Sequence, residues 1–258
     1  MHASLVKQRL RSGKVARVTT LCNPVAMLPA HAARAGFHAI WLDTEHNTWD
    51  PAELRHLIAR HHLAGIDCVV RAASRLPRDL YHLLEDGATG IMAPFVNTAA
   101  DARALVRALK FPPLGERGLD GAGFDNNYCA RNAADYTRAA NAEALLVAQI
   151  ETPEALANVN DIAAAGVDVL FIGPGDLSLR LGCPLDWTIP AMRDAQNNVA
   201  AAARRHGAAW GRPCADAADI AAAAALGAQY LAHGSDFNSL AAGIAACAKI
   251  FTDALGSD

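Results

Sequence analysis

Two acids in this chain each follow an apolar run: Glu151 in Gln149-Ile150-Glu151-Thr152, and Asp176 in Phe171-Ile172-Gly173-Pro174-Gly175-Asp176. No cysteine pair or paired histidine lies near either. Brought together, two carboxylates make a hard oxygen site. It suits Mg²⁺ or Mn²⁺, with Co²⁺ also compatible, and leaves positions open for water and substrate. The plainer reading makes Glu151 a cap for a helix starting at Pro153 and Asp176 a cap before Leu177. Arg71 closes the run Cys68-Val69-Val70-Arg71. A guanidinium at the end of a buried strand must meet an anion, because an unpaired buried charge is costly. That anion is a substrate carboxylate, one of the acids above, or a purely structural partner. His46 stands in Asp43-Thr44-Glu45-His46, with acids at hand for general-base work. His56, His61 and His62 read instead as a solvated helix face. Gly173 to Gly175 could cradle an anion, although a tight turn has the same composition.

These residues need elements to hold them. Eight short, apolar or β-branched runs recur: 15–21, 39–42, 68–71, 90–93, 145–150, 167–172, 208–211 and 229–232. Continuous apolar character suits parallel strands buried on both faces. Helical patterns separate them at 51–62, 77–85, 98–109, 153–164, 190–206 and 215–226, several opening on proline. Gly36, Gly65 and Gly166 precede strands and fit left-handed helix ends. Eight strand–helix units in about 250 residues give a TIM (β/α)8 barrel forming a single domain over 1–258. A doubly wound sheet is the runner-up, but no glycine-rich dinucleotide fingerprint follows the first strand. In a barrel, the site lies where strands end. That rim then carries Asp43, Glu45, His46, Arg71, Gln149, Glu151, Asp176, Arg212 and His233, and the helix after strand three reaches Glu85. The long irregular stretch 111–132 reads as functional. The segment 237–255 reads as an amphipathic helix.

Composition removes several function classes. With 23 basic and 26 acidic residues the net charge is -3, and no basic block tracks a phosphate backbone, so nucleic acid is not expected as a partner. No apolar run reaches a membrane span, and no signal peptide is read in residues 1–14. Six cysteines without a CxxC pair read as reduced thiols of a cytoplasmic protein. The four lysines, Lys7, Lys14, Lys110 and Lys249, all avoid the strand ends, which argues against Schiff-base catalysis. A GxSxG elbow is absent.

At these motifs the chain resembles the HpcH/HpaI family of metal-dependent (class II) pyruvate aldolases. The resemblance runs from Gly36-Phe37 through Trp41-Leu42-Asp43-Thr44-Glu45-His46, Val69-Val70-Arg71, Leu84 to Pro94, and Pro112 to Gly118. It ends on Gln149 to Thr152 and Phe171 to Ser178, the most specific pair. It implies a phosphoenolpyruvate/pyruvate-type barrel. It further implies His46 as acid/base, Arg71 as enolate stabiliser, and Glu151 and Asp176 as metal ligands. Gln149 and the backbone at Gly175 are expected to contact the keto acid. An acid tuning His46 is expected at Glu85, with Asp43 competing for that role. Relatives commonly have Asp and Ala where this chain has Glu85 and Gly175. The segment 119–128 departs more, which suggests a different aldehyde-side pocket. The implied reaction is reversible cleavage of a 4-hydroxy-2-oxo acid to pyruvate and an aldehyde. Alternatives using the same core are oxaloacetate decarboxylation, a macrophomate-synthase-like reaction, and acyl-CoA lysis of the citrate lyase β type. The resemblance also implies a homo-oligomer, a hexamer built as a trimer of dimers, with the 237–255 helix at an interface.

Overall fold

The computed structural model describes residues 3–256. The first two and last two residues of the expected 1–258 domain lie outside that range. Eight parallel strands close into a barrel in sequence order: β1 (Ala16–Leu21), β2 (Ala39–Asp43), β3 (Asp67–Arg71), β4 (Gly90–Ala93), β5 (Leu145–Ile150), β6 (Val169–Ile172), β7 (Ala209–Pro213) and β8 (Tyr230–Ser235). The chain is a TIM barrel, as the strand–helix arithmetic requires.

Side chains alternate across each strand, so each has an inward and an outward set. On β2, Ile40 and Leu42 join the core between barrel and helices, while Ala39 and Trp41 face the barrel interior. That interior is filled by residues including Val18, Val69, Val147, Phe171 and Tyr230. Its lower end is plugged by α1 (Leu5–Arg11), whose Val6 is fully buried there. Ser4 Oγ (2.6 Å) and the Val6 N–H (2.9 Å) both donate to Asp67, fastening the plug to the start of β3.

The helical layer follows from the proline and glycine punctuation. Helix α2 (Leu28–Arg34) precedes β2, and α3 (Pro51–Ala64) ends on Gly65 in the left-handed region. Next come α4 (Pro77–Glu85), α5 (Ala99–Leu109) and α6 (Ala133–Glu143). The expected 153–164 helix is two, α7 (Pro153–Ala157) and α8 (Val159–Ala164). They part at Asn158, whose side-chain amide donates to the Asn97 carbonyl at 2.9 Å; asparagine competes in this way with helical backbone bonding. Helix α9 (Pro174–Leu181) springs directly from β6, and α10 (Pro190–His206) and α11 (Ala217–Ala225) flank β7. Helix α12 (Asp236–Leu255) matches the expected terminal helix. His61 is a correction to the solvated-face reading. It is 1% exposed, its Nδ1 lies 2.8 Å from the Leu57 carbonyl, and burial pushes its pKa down to about 4.

The stretch 111–132 connects α5 to α6 and therefore approaches β5 from the barrel's lower end. Its anchor is internal. Arg117 lies 2.9 Å from Asp125, with both side chains fully buried, and the Tyr136 hydroxyl donates to Asp125 at 2.7 Å. The guanidinium also stacks on the Phe111 ring at 4.6 Å. Removing one partner of a buried pair leaves an uncompensated charge. Asp125→Ala is therefore expected to cost about 3–5 kcal/mol in urea unfolding. A loss below about 1 kcal/mol, the range of a surface pair, would show that the clamp does not hold the loop.

Candidate active site

Strand alternation and strand endings bring the expected residues together above the filled interior. Trp41 and Asp43 share the inward parity of β2, and Arg71 pairs in register with Asp43 at the end of β3. The Arg71 fork grips Asp43 with both contacts at 2.8 Å, from Nε to Oδ1 and from NH2 to Oδ2. A third nitrogen, NH1, lies 3.0 Å from Glu45 Oε2. Such bidentate geometry is specific to arginine. Burial pushes the Asp43 carboxyl up, but Arg71 and the backbone N–H groups of Glu45 and His46 outweigh it and hold it below the usual range.

Opposite, Glu151 directly follows β5 and is 3% exposed. Its Oε1 accepts the Phe95 N–H at 2.7 Å. Phe95 takes a positive φ of 51°, uncommon for a residue with a side chain, which aims that N–H at the carboxylate. Gly173 makes the room: a Cβ there would lie 2.1 Å from Glu151 Oε2. Asp176 sits in the first turn of α9, its Oδ1 3.8 Å from Arg180. Burial pushes the Glu151 carboxyl up to about 7; the Phe95 N–H opposes this, and the charges of Glu45 and Asp176 add to it. Gln149, 1% exposed, points a side-chain oxygen without a hydrogen-bond partner into the same interior. Gly175 is exposed on α9, and a Cβ there would meet open space, so an alanine would fit. Glu151 and Asp176 could hold a hard cation. Among the described residues no cluster of three or more His, Cys, Asp or Glu is arranged for a metal, so further ligands would come from water or substrate.

His46 lies just past β2, its ring exposed at the mouth and Nε2 3.7 Å from Glu45 Oε2. Asp43 takes the backbone N–H of His46, not the ring. Glu85 is not brought to His46 within this chain. It ends α4 in the helical layer, where the chain turns to enter β4 from below, and its carboxylate is 4.0 Å from His82. The 119–128 segment packs there too: Phe124 meets the His62 ring at 5.0 Å, and Gly123 backs onto Glu85. It therefore does not line the strand-end rim of its own chain. Arg212 is also structural, paired with Asp219 and Gln196 and stacked on Trp187 at 4.2 Å. His233 Nδ1 lies 2.9 Å from the Cys214 carbonyl, tying β8 to the end of β7.

Four contributors escape sequence reasoning. Trp41 lies under the Arg71 guanidinium, and Phe95 acts through its backbone. Gly173 acts through the side chain it lacks. Asp236, at the start of α12, accepts the N–H groups of Cys22 and Asn23 at 3.0 Å each, closing β1 against β8. The acid following Gly234-Ser235 at a strand end was a usable signal for the last. Nothing local signals Trp41 or Phe95, and Gly173 stands out in the sequence only as part of an anion cradle and not as the space for Glu151.

A model of the HpcH/HpaI aldolase/citrate lyase family matches residues 23–242. The chain belongs to that family. It is an enzyme of the aldolase (lyase) class, as its curated relatives are. A 2-dehydro-3,6-dideoxy-6-sulfogluconate aldolase of Pseudomonas putida is 40% identical over 61% of this chain and 63% of its own, so that match spans less than two thirds of the relative. A hydroxypyruvate/pyruvate aldolase of Pseudomonas aeruginosa is 34% identical over 91% of this chain and 87% of its own. The crystal structure of an HpcH/HpaI aldolase from Desulfitobacterium hafniense DCB-2 superposes with a TM-score of 0.90 at 33% identity, covering 97% of each chain.

The Glu151 environment sets a pH test on stability. A carboxyl whose pKa is raised in the fold binds its proton more tightly there than in the unfolded chain. Its contribution is full below the unfolded value near 4.5 and is lost as pH rises through about 7. In metal-free buffer, Glu151→Gln should therefore gain stability over wild type at pH 8, by on the order of 2–3 kcal/mol. The two should converge near pH 4. Parallel stability curves across that window would show that Glu151 is not held in this way.

Proposed function

We propose that this chain is a divalent-metal-dependent pyruvate aldolase that reversibly cleaves a 4-hydroxy-2-oxo acid to pyruvate and an aldehyde. The observation that carries the reading is a braced guanidinium at the end of β3 together with two carboxylates, Glu151 just past β5 and Asp176 in the first turn of α9. The donor set fits Mg²⁺ or Mn²⁺, with Co²⁺ also compatible: two oxygen ligands, one seated in the space that Gly173 leaves. Glu151 and Asp176 would hold the divalent cation, which when bound would offer positive charge to an enolate oxygen.

The chain's own residues do the rest. Arg71, braced by Asp43 and Glu45, places a second positive charge beside the enolate without reorganising. Gln149 and the backbone N–H at Gly175, in the first turn of α9, orient the keto acid. His46, exposed at the mouth, takes the 4-hydroxyl proton in cleavage and returns it in synthesis. In the synthetic direction the same base serves to deprotonate the pyruvate methyl group, as microscopic reversibility requires. Acyl-CoA lysis loses support, because Arg212, the rim cation that could have met the CoA phosphates, is buried in an internal pair. The six free cysteines suit a reducing cytoplasm; among the described residues no helix is long and apolar enough to cross a membrane.

Chelation should abolish pyruvate release from a 4-hydroxy-2-oxo acid, and Mg²⁺ or Mn²⁺ should restore it. Glu151→Gln and Asp176→Asn should each weaken metal binding in calorimetry. Arg71→Lys should lower the rate by about 10²-fold, since lysine keeps the charge and loses the fork. Activity that survives exhaustive chelation would sink the metal-dependent reading. Release of CO₂ from oxaloacetate without aldol cleavage would move the assignment to the decarboxylating alternative.

The same proposal includes assembly. Helix α12 leaves Phe237, Leu240, Ile244, Ile250, Phe251 and Leu255 each more than 60% exposed, an apolar face larger than a soluble monomer usually shows. A second copy of this chain is the expected cover, in a homo-oligomer and most simply a hexamer of three dimers. Light scattering at micromolar concentration should give a multiple of 27.1 kDa. A mass of one chain would refute the assembly.

A further inference from the structure

The Arg71 guanidinium is restrained by more than carboxylates. Its central carbon lies 4.7 Å from the Trp41 ring centroid, so the indole forms a floor beneath the cation. Trp41 is itself wedged from the far side of the barrel. The Phe171 ring meets it edge-on at 5.6 Å, and Tyr230 meets Phe171 at 5.7 Å. An aromatic column therefore crosses the interior from β8 through β6 to β2 and ends under Arg71. Trp41, Asp43 and Glu45 are spaced two by two, so a single segment supplies the floor and both acidic partners of one guanidinium.

The choice of tryptophan calls for a reason. Its Nε1 is buried with no hydrogen-bond partner, and a buried unpaired donor costs stability. Phenylalanine or leucine would fill the interior without that cost. What the indole adds is the strongest aromatic face for a cation. The hydrogen bonds to Asp43 fix the guanidinium within its own plane, and the ring fixes it perpendicular to that plane.

We propose that Trp41 is a positioning residue for Arg71, holding the guanidinium by cation–π contact where the pyruvate enolate forms. This rests on the pyruvate reading above, so the test separates the two. The first readout is the Arg71 Nε–H signal in metal-free protein, identified by its loss in Arg71→Lys. The second is Mg²⁺-dependent exchange of pyruvate methyl protons for deuterium, which needs no knowledge of the aldehyde.

In wild type the Nε–H should be displaced upfield by the ring and slow to exchange with solvent. In Trp41→Leu it should lose both properties, and pyruvate exchange at saturating pyruvate should fall about ten-fold. Trp41→Phe, which keeps a weaker aromatic face, should lie between wild type and Trp41→Leu on both readouts. A residue that only fills volume would alter melting temperature and the ring-current shift, yet leave the slow solvent exchange of the Nε–H and the rate of pyruvate exchange in place. Unchanged Nε–H exchange in Trp41→Leu overturns the proposal. If that variant does not fold, unchanged Nε–H exchange in Trp41→Phe overturns it equally. Wild-type protein that binds Mg²⁺ yet exchanges no pyruvate protons defeats the pyruvate reading, and the Arg71 signal then decides the positioning role alone.

Discussion

The Arg71–Asp43 fork is the interaction on which the strand-end chemistry depends. Both residues end neighbouring strands in register, and both are nearly buried, with side chains 12% and 4% exposed. Neither charge could stay there without the other. The bond consumes the charge of Asp43, and the contact with Glu45 engages a second acid. Arg71 is consequently committed on the β2 side. The carboxylates of Glu151 and Asp176, on the β5–β6 side, remain as the hard donors of the site. The separation of these roles comes from register: the two acids that face the guanidinium lie at and just past the end of the strand beside it, and Glu151 and Asp176 follow strands across the mouth.

The second carboxylate pair depends on backbone more than on side chains. Glu151 is aimed by an N–H from Phe95, and its space is kept by the bare Cα of Gly173. Asp176 owes its place to α9 starting at once after β6, with Pro174 in the first turn. Each of these features lies at a strand end, where the ladder stops dictating conformation and the chain is free to adopt a special one. The rest of the barrel is regular, and that regularity keeps the endings in place.

Much of this was legible beforehand. Parallel strands buried on both faces write themselves as short apolar runs, and all eight were found, with boundaries shifted by up to three residues. Prolines marked the starts of α3, α4, α7 and α10 correctly. The residues later found at the mouth were visible because strand endings concentrate polar groups. Other features left no trace because their cause is not local. Glu85 reads as a mouth residue until the course of α4 carries it into the helical layer. Arg212 reads as a rim cation until Asp219, seven residues away, pairs with it in the helical layer. Trp41 reads as one more apolar residue of a strand, since only the register of β2 against β3 sets its face under Arg71.

The site also shows where the fold gives up stability. Glu151 is buried among like charges, and Gln149 and Trp41 each bury a polar atom without a partner. Any one of these costs more than a typical favourable contact returns. They cluster within a few residues of the strand ends, on β2, β5 and the turn after β5. Offsetting contributions lie elsewhere. The barrel has no open edge, α1 seals its lower end through Asp67, and the interior below the mouth is packed with aliphatic and aromatic side chains. A closed ladder suits such a site because the strain of the mouth is carried by eight paired strands instead of one loop. Two of these groups, Glu151 and Gln149, are also ones that a cation and a keto acid would satisfy. Binding there would return part of what folding gave up.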